Sequence, residues 1–273
     1  MSRTDIDTGT EDCLAYEANG IEVITLNRPE ARNALTDAMK DGMGIALDYA
    51  ARSHSVRSVV VTGAGGAFCA GGDVKQMAAG RDEVGTLDER IYEQRLDHRK
   101  TAGRIYAMPK PVIAMIPGPA AGAGLSIALA ADMRTMAVSS FITTAFARVG
   151  FSGDYGGTWF LHHLVGPGKA RELYYLSDRV GAEECLALGI ANRVFADEEL
   201  EEATMAMARR LADGPPVAYR YMKENFNRAA MGAELGECMD IEATHHIHTG
   251  LTEDHKEAAK AFVEKREVSF KGI

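Results

Sequence analysis

"KPVIAMIPGPAAGAGLSIALAADMRTMAV" (residues 110–138) decides the fold. Its first part, "KPVIAMIPG" (110–118), is an apolar run closed by proline and glycine, the pattern of a strand buried on both faces. "GAGLSIALAADM" (122–133) is made of small apolar residues and reads as a helix, and "RTMAV" (134–138) as the next strand. Strand, glycine-rich joint, helix and strand in this order imply an α/β architecture. The joint also has chemical potential. A helix that opens on glycines presents backbone N–H groups without intrahelical acceptors, at the positive end of its dipole. Glycine there serves either close strand–helix packing or the binding of developing negative charge, and the stretch alone does not separate the two.

Upstream, "VRSVVVTGAGG" (56–66) repeats the arrangement: a β-branched run ending in glycines, continued by "GAGGAFCAGGDV" (63–74). This joint, the first in chain order, lacks the Gly-Lys-Ser/Thr ending of a phosphate-binding loop. Two joints, each following a buried strand, make an oxyanion hole more attractive than either does alone. "IEVITLNRP" (21–29) reads as a strand running into a turn, and "TDAMKDGMGIALDYAARS" (36–53) as a helix with apolar residues at helical spacing. Residues 80–107 are charged and read as helical. Helices fill most of the chain after 167, "GPP" (214–216) punctuates it, and the remainder through "HKEAAKAFVEKRE" (255–267) reads as a helical lobe. The expected organisation is a core over 12–212 and a helical lobe over 213–273. The polar start, "MSRTDIDTGTED", reads as a frayed tail, not a signal or transit peptide.

The chain of 273 residues is 46% hydrophobic, enough for one large core, and its net charge of −9 disfavours a nucleic-acid surface. The four cysteines, Cys13, Cys69, Cys185 and Cys238, are scattered with no CxxC, as expected of reduced thiols in a cytoplasmic protein. No apolar run reaches the roughly 18 residues needed to span a bilayer. His162–His163 and "HHIH" (245–248) lack the acid or cysteine partners of a tetrahedral site, so no metal is expected. His98, within the charged segment, is expected at the surface.

"FSGDYGGTWF" (151–160) is too apolar for a simple surface loop and too rich in glycine for a regular helix or strand. It carries one acid, Asp154. Among aromatic and apolar neighbours such a carboxylate loses water and becomes a candidate base. The alternative is an aspartate that caps a helix beginning near Gly157.

"LNRPEARNAL" (26–35), "FCAGGDV" (68–74), "KPVIAMIPGPAAGAG" (110–124), "GGTWFLHHLVG" (156–166) and "AFVEKRE" (261–267) together resemble the crotonase, or enoyl-CoA hydratase/isomerase, superfamily, from about residue 12 to 272. The resemblance implies a spiral of strand–strand–helix (ββα) units with a helical C-terminal lobe, assembly as a homotrimer or dimer of trimers, and an acyl-CoA thioester as substrate. It implies no cofactor, coenzyme A being part of the substrate, and neither nucleic acid nor membrane as a partner. By position, the oxyanion donors are the backbone N–H groups of Gly72 and Ala123. Asp73 is a structural acid at the turn. The adenine contacts backbone near Ala70 and Gly71, Arg32 is a candidate for the phosphates, and Lys265 reaches a nucleotide from the C-terminal end, in its own or a neighbouring subunit.

The departures from the family pattern matter most. Typical hydratases position water with two glutamates. Here the first position, on the helix after the second joint, is Ser126, and the other, counted back from Gly156, is Phe146. Neither is a useful base. Asp154 stands where dienoyl-CoA isomerases, a haloaryl-CoA dehalogenase and, most similar locally, the ring-epoxide isomerases of phenylacetate breakdown carry an aspartate. The resemblance therefore implies an enoyl-CoA isomerase with Asp154 as acid/base, Tyr155, Trp159 and Phe160 shaping an acyl pocket. A hydratase or a non-catalytic acyl-CoA scaffold is the alternative, and an RNA-binding relative is disfavoured by the few basic residues of 36–53. An acid hidden elsewhere would come from 80–107, which holds Asp82, Glu83, Asp88, Glu89, Glu93 and Asp97.

Overall fold

A computed structural model of the chain describes residues 3–73, 78 and 85–273; Val74, Asp82 and Glu83, named above, lie outside the described residues. In chain order the elements are β1 (Thr4–Ile6), β2 (Cys13–Ala18), β3 (Ile21–Leu26), α1 (Asp37–Arg52), β4 (Ser58–Gly63), α2 (Leu87–Lys100), α3 (Ala102–Tyr106), β5 (Val112–Ile116), β6 (Ala120–Ala121), α4 (Gly122–Leu129), β7 (Met133–Ala137), β8 (Phe141–Thr143), α5 (Gly157–Leu176), β9 (Val180–Gly181), α6 (Ala182–Ala187), β10 (Arg193–Phe195), α7 (Leu200–Ala212), α8 (Pro216–Ala230), α9 (Leu235–Gly250) and α10 (Glu253–Glu264). The order β1-β2-β3-β4-β5-β7-β10 builds one seven-stranded sheet, and β6-β8-β9 a three-stranded one. The large sheet is antiparallel from β1 to β3 and parallel from β3 to β10. This is the crotonase-like α/β architecture that the motifs imply.

β4 shows why the central strands read as unbroken apolar runs. Val59 and Val61 belong to one buried cluster with Met43 and Leu47 of α1, while Val60 belongs to another with Ala208 and Ala212 of α7. Successive side chains point to opposite faces, and here both faces are covered by helices. Each such valine contributes about 1.5–3 kcal/mol by leaving water. α1 begins where Thr36 Oγ1 accepts the N–H of Met39 at 3.0 Å, and the same hydroxyl donates to Asp12 at 2.6 Å.

Several boundaries differ from the sequence reading. The N-terminus is not a frayed tail: β1 pairs with β2, Thr4 opposite Glu17 and Ile6 opposite Ala15. An edge strand needs a partner only for its backbone, so polar side chains conceal it. The helix expected over 122–133 ends at Leu129, and Met133 already belongs to β7. β2, β9 and β10 carried no clear signal. α5 bends at Gly166 (φ 75°, ψ 168°), ahead of Pro167, whose ring cannot continue a helical ladder.

The last helices leave large apolar side chains in solvent, among them Phe226 on α8, Leu235 on α9, and Phe262 and Val263 on α10. The chain end is nevertheless tied down. Asp254 accepts the N–H groups of Lys271 (2.6 Å) and Gly272 (2.8 Å), and Arg57 donates to Phe270 O at 2.8 Å. Among the described residues, no helix is long and apolar enough to cross a membrane.

Candidate functional site

The two glycine-rich joints lie against each other. Buried Asn33 organises the first: its amide donates to Ala64 O and Ala67 O, each at 2.9 Å, and its Oδ1 accepts Arg28 N–H at 2.8 Å. Ala70 N–H donates to Arg32 O at 2.9 Å, and Leu35 N–H to Gly71 O at 2.8 Å. From the other side, Ala121 N–H donates to Cys69 O at 2.9 Å. Residues 69–71 are thus held between the 32–35 turn and the start of α4. Gly71 has φ +89°, and a Cβ there would stand 2.9 Å from Ala121 O and 3.3 Å from Ala123 N. Only glycine allows this approach.

Ala123 lies in the first turn of α4, and its N-cap Ala121 brings no side-chain acceptor. Among the described residues, neither Gly72 N–H nor Ala123 N–H donates to a protein acceptor. Asp73 forms an ion pair with Arg28, Nη1 to Oδ2 3.6 Å, consistent with a part in holding the turn.

Asp154 is neither isolated nor a helix cap. α5 starts from Gly156 with no side-chain cap, and Gly157 N–H donates to the backbone oxygen of Asp154 at 3.0 Å. The carboxylate instead accepts Tyr155 N–H at 3.0 Å and the Gln94 amide, whose Nε2 stands 2.9 Å from each oxygen. His98 Nε2 pairs with Asp154 Oδ1. This corrects the surface placement of His98: its ring packs on Tyr155, centroids 4.5 Å apart, and its side chain is 33% exposed, beside the 26% exposed Asp154.

Gln94 and His98 were missed. Their i, i+4 spacing on α2 puts both on one helical face, which was the available signal. α2 is anchored to α1 through Asp97, a buried acid paired with Lys40 and, at 2.6 Å, with Lys100, which also holds Asp41 at 2.6 Å. That clamp aims the next residue, His98, and Gln94 one turn earlier, at the aspartate. The described acids of the segment offer no other carboxylate here: Asp88, Glu89 and Glu93 are exposed and Asp97 is committed to lysines.

The two positions where hydratases carry glutamates are buried and filled. Ser126 Oγ donates to Gly122 O at 3.2 Å, and the Phe146 ring stacks on Tyr174 with centroids 5.8 Å apart. Gly157 closes the space, since a Cβ there would stand 2.2 Å from Ser126 Oγ and 2.5 Å from the Tyr174 hydroxyl. Nearby acids are weak. Burial pushes the Tyr174 hydroxyl up to about 12, against a Ser126 hydrogen bond that lowers it and with the Asp154 charge raising it further. Burial likewise raises Tyr155, helped by the charge of Asp154, and holds the Cys69 thiol up at about 12. None of the three supplies a base near neutral pH.

Trp159 and Phe160, in the first turn of α5, form an aromatic cluster with Tyr106, centroids 5.2 and 5.6 Å from the Tyr106 ring. Arg32, exposed, lines an open groove of about 320 Å³ with Gly65, Gly66, Ala67, Pro119, Phe141 and Arg179, the Arg179 guanidinium lying 4.6 Å from the Phe141 ring centre. Arg32, Ala70 and Gly71 are neighbours through the 32–35 turn. Lys265 ends α10, exposed, and no hydrogen bond or ion pair links it to them. His163 is held by Trp159 O (2.8 Å) and Ala230 O (3.0 Å), and His245 by Asn225 and Glu224. No three metal-ligating side chains gather among the described residues.

Residues 16–273 match the family model described as enoyl-CoA hydratase/isomerase. A "Probable enoyl-CoA hydratase" of Rhodobacter capsulatus is 37% identical, over 95% of this chain and 98% of that protein. The "1,2-epoxyphenylacetyl-CoA isomerase" of Escherichia coli K12 is 32% identical, over 96% and 99%. Among solved structures, a putative enoyl-CoA hydratase from Streptomyces coelicolor A3(2) superposes with a TM-score of 0.90 at 33% identity, covering 96% of this chain and 94% of that one.

Proposed function

This chain belongs to the enoyl-CoA hydratase/isomerase family, and on that premise we propose that it moves a double bond in an unsaturated acyl-CoA, with Asp154 as acid/base. The observation that carries the reading is the location of carboxylate: Ser126 and Phe146 are buried without one, and Asp154 is half-buried just ahead of α5, held by Gln94 and His98.

The thioester oxygen sits between Gly72 N–H and Ala123 N–H. As Asp154 removes a proton from substrate carbon, negative charge moves onto that oxygen, and two fixed donors stabilise the dienolate more than the ground state. Asp154 then returns a proton at the other end of the conjugated system. One proton and the π electrons shift, so the step balances without oxidant or reductant. No cofactor is required beyond the coenzyme A that the substrate carries. Arg32 faces the CoA phosphates, the backbone at Ala70 and Gly71 meets the adenine, and Lys265 serves a nucleotide from its own or a neighbouring subunit. Tyr155, Trp159 and Phe160 shape the acyl side. The exposed apolar side chains of α8 to α10 support a homotrimer or a dimer of trimers.

Hydration is the second reading, favoured by the name of the R. capsulatus relative. A panel of 2-enoyl- and 3-enoyl-CoA thioesters incubated in heavy water and read by mass spectrometry separates the two. Isomerisation leaves the product without added water; hydration adds one. Faster water addition to crotonyl-CoA than migration in any 3-enoyl-CoA, undiminished in Asp154→Asn, overturns the isomerase reading.

A further inference from the structure

We propose that His98 is the positioning residue of Asp154 and its proton relay to solvent, so that the proton taken from the substrate is exchanged with water during turnover; this rests on Asp154 being the base. Three observations converge. His98 Nε2 and Asp154 Oδ1 are hydrogen-bond partners, contributed by α2 and by the loop before α5. Gln94 Nε2 lies 2.9 Å from both carboxylate oxygens and 3.2 Å from His98 Nε2, so one amide fixes both groups. The imidazole is one-third exposed and rests on the buried Tyr155 ring, which gives the carboxylate a protic neighbour open to water.

α2 does not present His98 by chance. Asp97, the preceding residue, is buried and locked by Lys40 and Lys100, and Thr101 Oγ1 donates to its carbonyl at 2.6 Å. The relay follows from this placement. The C–H bond of the substrate breaks and an O–H bond forms on Asp154. The carboxyl proton on Oδ1 then moves along the hydrogen bond to Nε2, leaving a carboxylate and an imidazolium. The imidazolium, one-third exposed, exchanges its Nε2 proton with water while the Nδ1 proton stays on the ring. The exchanged proton then passes from Nε2 back to Oδ1 and on to the far carbon, which restores the neutral imidazole and the carboxylate. The number of protons and the charge are conserved over the cycle.

The test is deuterium incorporated per turnover when a 3-enoyl-CoA is isomerised in heavy water. The wild-type protein is expected to incorporate close to one deuteron per product. His98→Gln keeps a hydrogen-bonding amide beside Asp154 but carries no exchangeable acid. It is expected to bind acyl-CoA with unchanged affinity, to turn over more slowly, and to incorporate at least about tenfold less deuterium per turnover, the substrate's own proton being returned. His98→Ala is expected to regain incorporation as free imidazole is added, which a merely structural role would not produce. Unchanged incorporation per turnover in His98→Gln overturns the proposal, as does a wild-type enzyme that retains the substrate proton throughout. If His98→Gln does not accumulate as folded protein, failure of imidazole to raise incorporation in His98→Ala decides against it in the same way. Asp154→Asn separates this from the base assignment: normal turnover in that variant sinks the base itself, whatever His98 does.

Discussion

Gln94 Nε2 lies 2.9 Å from both carboxylate oxygens of Asp154, a residue sixty positions later in the chain. One amide thereby fixes the rotation of the acid on which the chemistry is proposed to depend. Gln94→Leu removes two hydrogen bonds to a carboxylate and keeps the bulk. Bonds to charged groups contribute about 1.5–3 kcal/mol, so kcat for double-bond migration should fall about tenfold or more, with KM changed less than about twofold because the oxyanion donors and CoA contacts remain. Steady-state kinetics on a 3-enoyl-CoA check this, and an unchanged kcat counts against orientation by Gln94.

Gly72→Pro deletes the backbone donor proposed for the thioester oxygen. Loss of one such donor costs about 10²–10³ in rate. The substitution also constrains φ at the turn, so both turnover and the thermal midpoint should fall. Activity measured on folded, acyl-CoA-binding protein that stays near wild type would remove Gly72 from the oxyanion hole.

Gly157→Ala tests the tight contact beneath the site. The new methyl group would stand 2.2 Å from Ser126 Oγ and 2.5 Å from the Tyr174 hydroxyl, both anchored in buried surroundings. Overpacking of this kind costs about 1–3 kcal/mol, and the unfolding midpoint should drop accordingly in a denaturant titration. The double variant Gly157→Ala with Ser126→Ala should recover part of the loss, since the nearer obstacle is the serine hydroxyl.

Glu22, on β3, is 0% exposed and neither carboxylate oxygen has a hydrogen-bond partner. Burial raises it from 4.5 to about 8, against the attraction of Lys110 and with the repulsion of Glu17. Between these values the folded chain holds a proton that the unfolded chain has released, so stability falls as pH rises from about 4.5 to 8. Each pH unit across that window costs about 1.4 kcal/mol. Glu22→Gln removes the titration, so its thermal midpoint should exceed the wild type's at pH 8 and approach it at pH 5. Parallel pH profiles for the two proteins would show that Glu22 is ionised in the folded state.

The exposed Phe226, Leu235, Phe262 and Val263 predict self-association. Light scattering at micromolar concentration should return a mass of three or six chains of 29.4 kDa, and a mass of one chain would exclude the trimer. Phe262→Asp, placed on the most exposed of these aromatics, should weaken the assembly without unfolding the monomer.

How legible the chain was depended on how local each signal is. β4 and β5 were readable because a strand covered on both faces must be apolar at every position, as Val59, Val60 and Val61 are. The joints at 69–72 and 121–124 were readable because glycine and alanine are required where backbone approaches backbone. β1 was not readable, since an edge strand asks nothing of its side chains, and the two-residue strands β6 and β9 are too short to carry a period. Asp154 could be singled out as one acid in an apolar stretch, but its partners could not. Its partners Gln94 and His98 sit in a segment whose charges read as surface, and what brings them to it is the Lys40–Asp97–Lys100 clamp and the docking of α2 on α1. The sequence by itself determined the α/β order, the two glycine-rich joints and the absence of carboxylates at 126 and 146, because each follows from residue type and neighbours along the chain; the spiral and the pairing of Gly72 with Ala123 as donors were implied by the family resemblance. Only the tertiary structure decided that the acid has an imidazole and an amide beside it, because hydrogen bonds between groups 56 and 60 residues apart depend on helix docking, which no local pattern encodes.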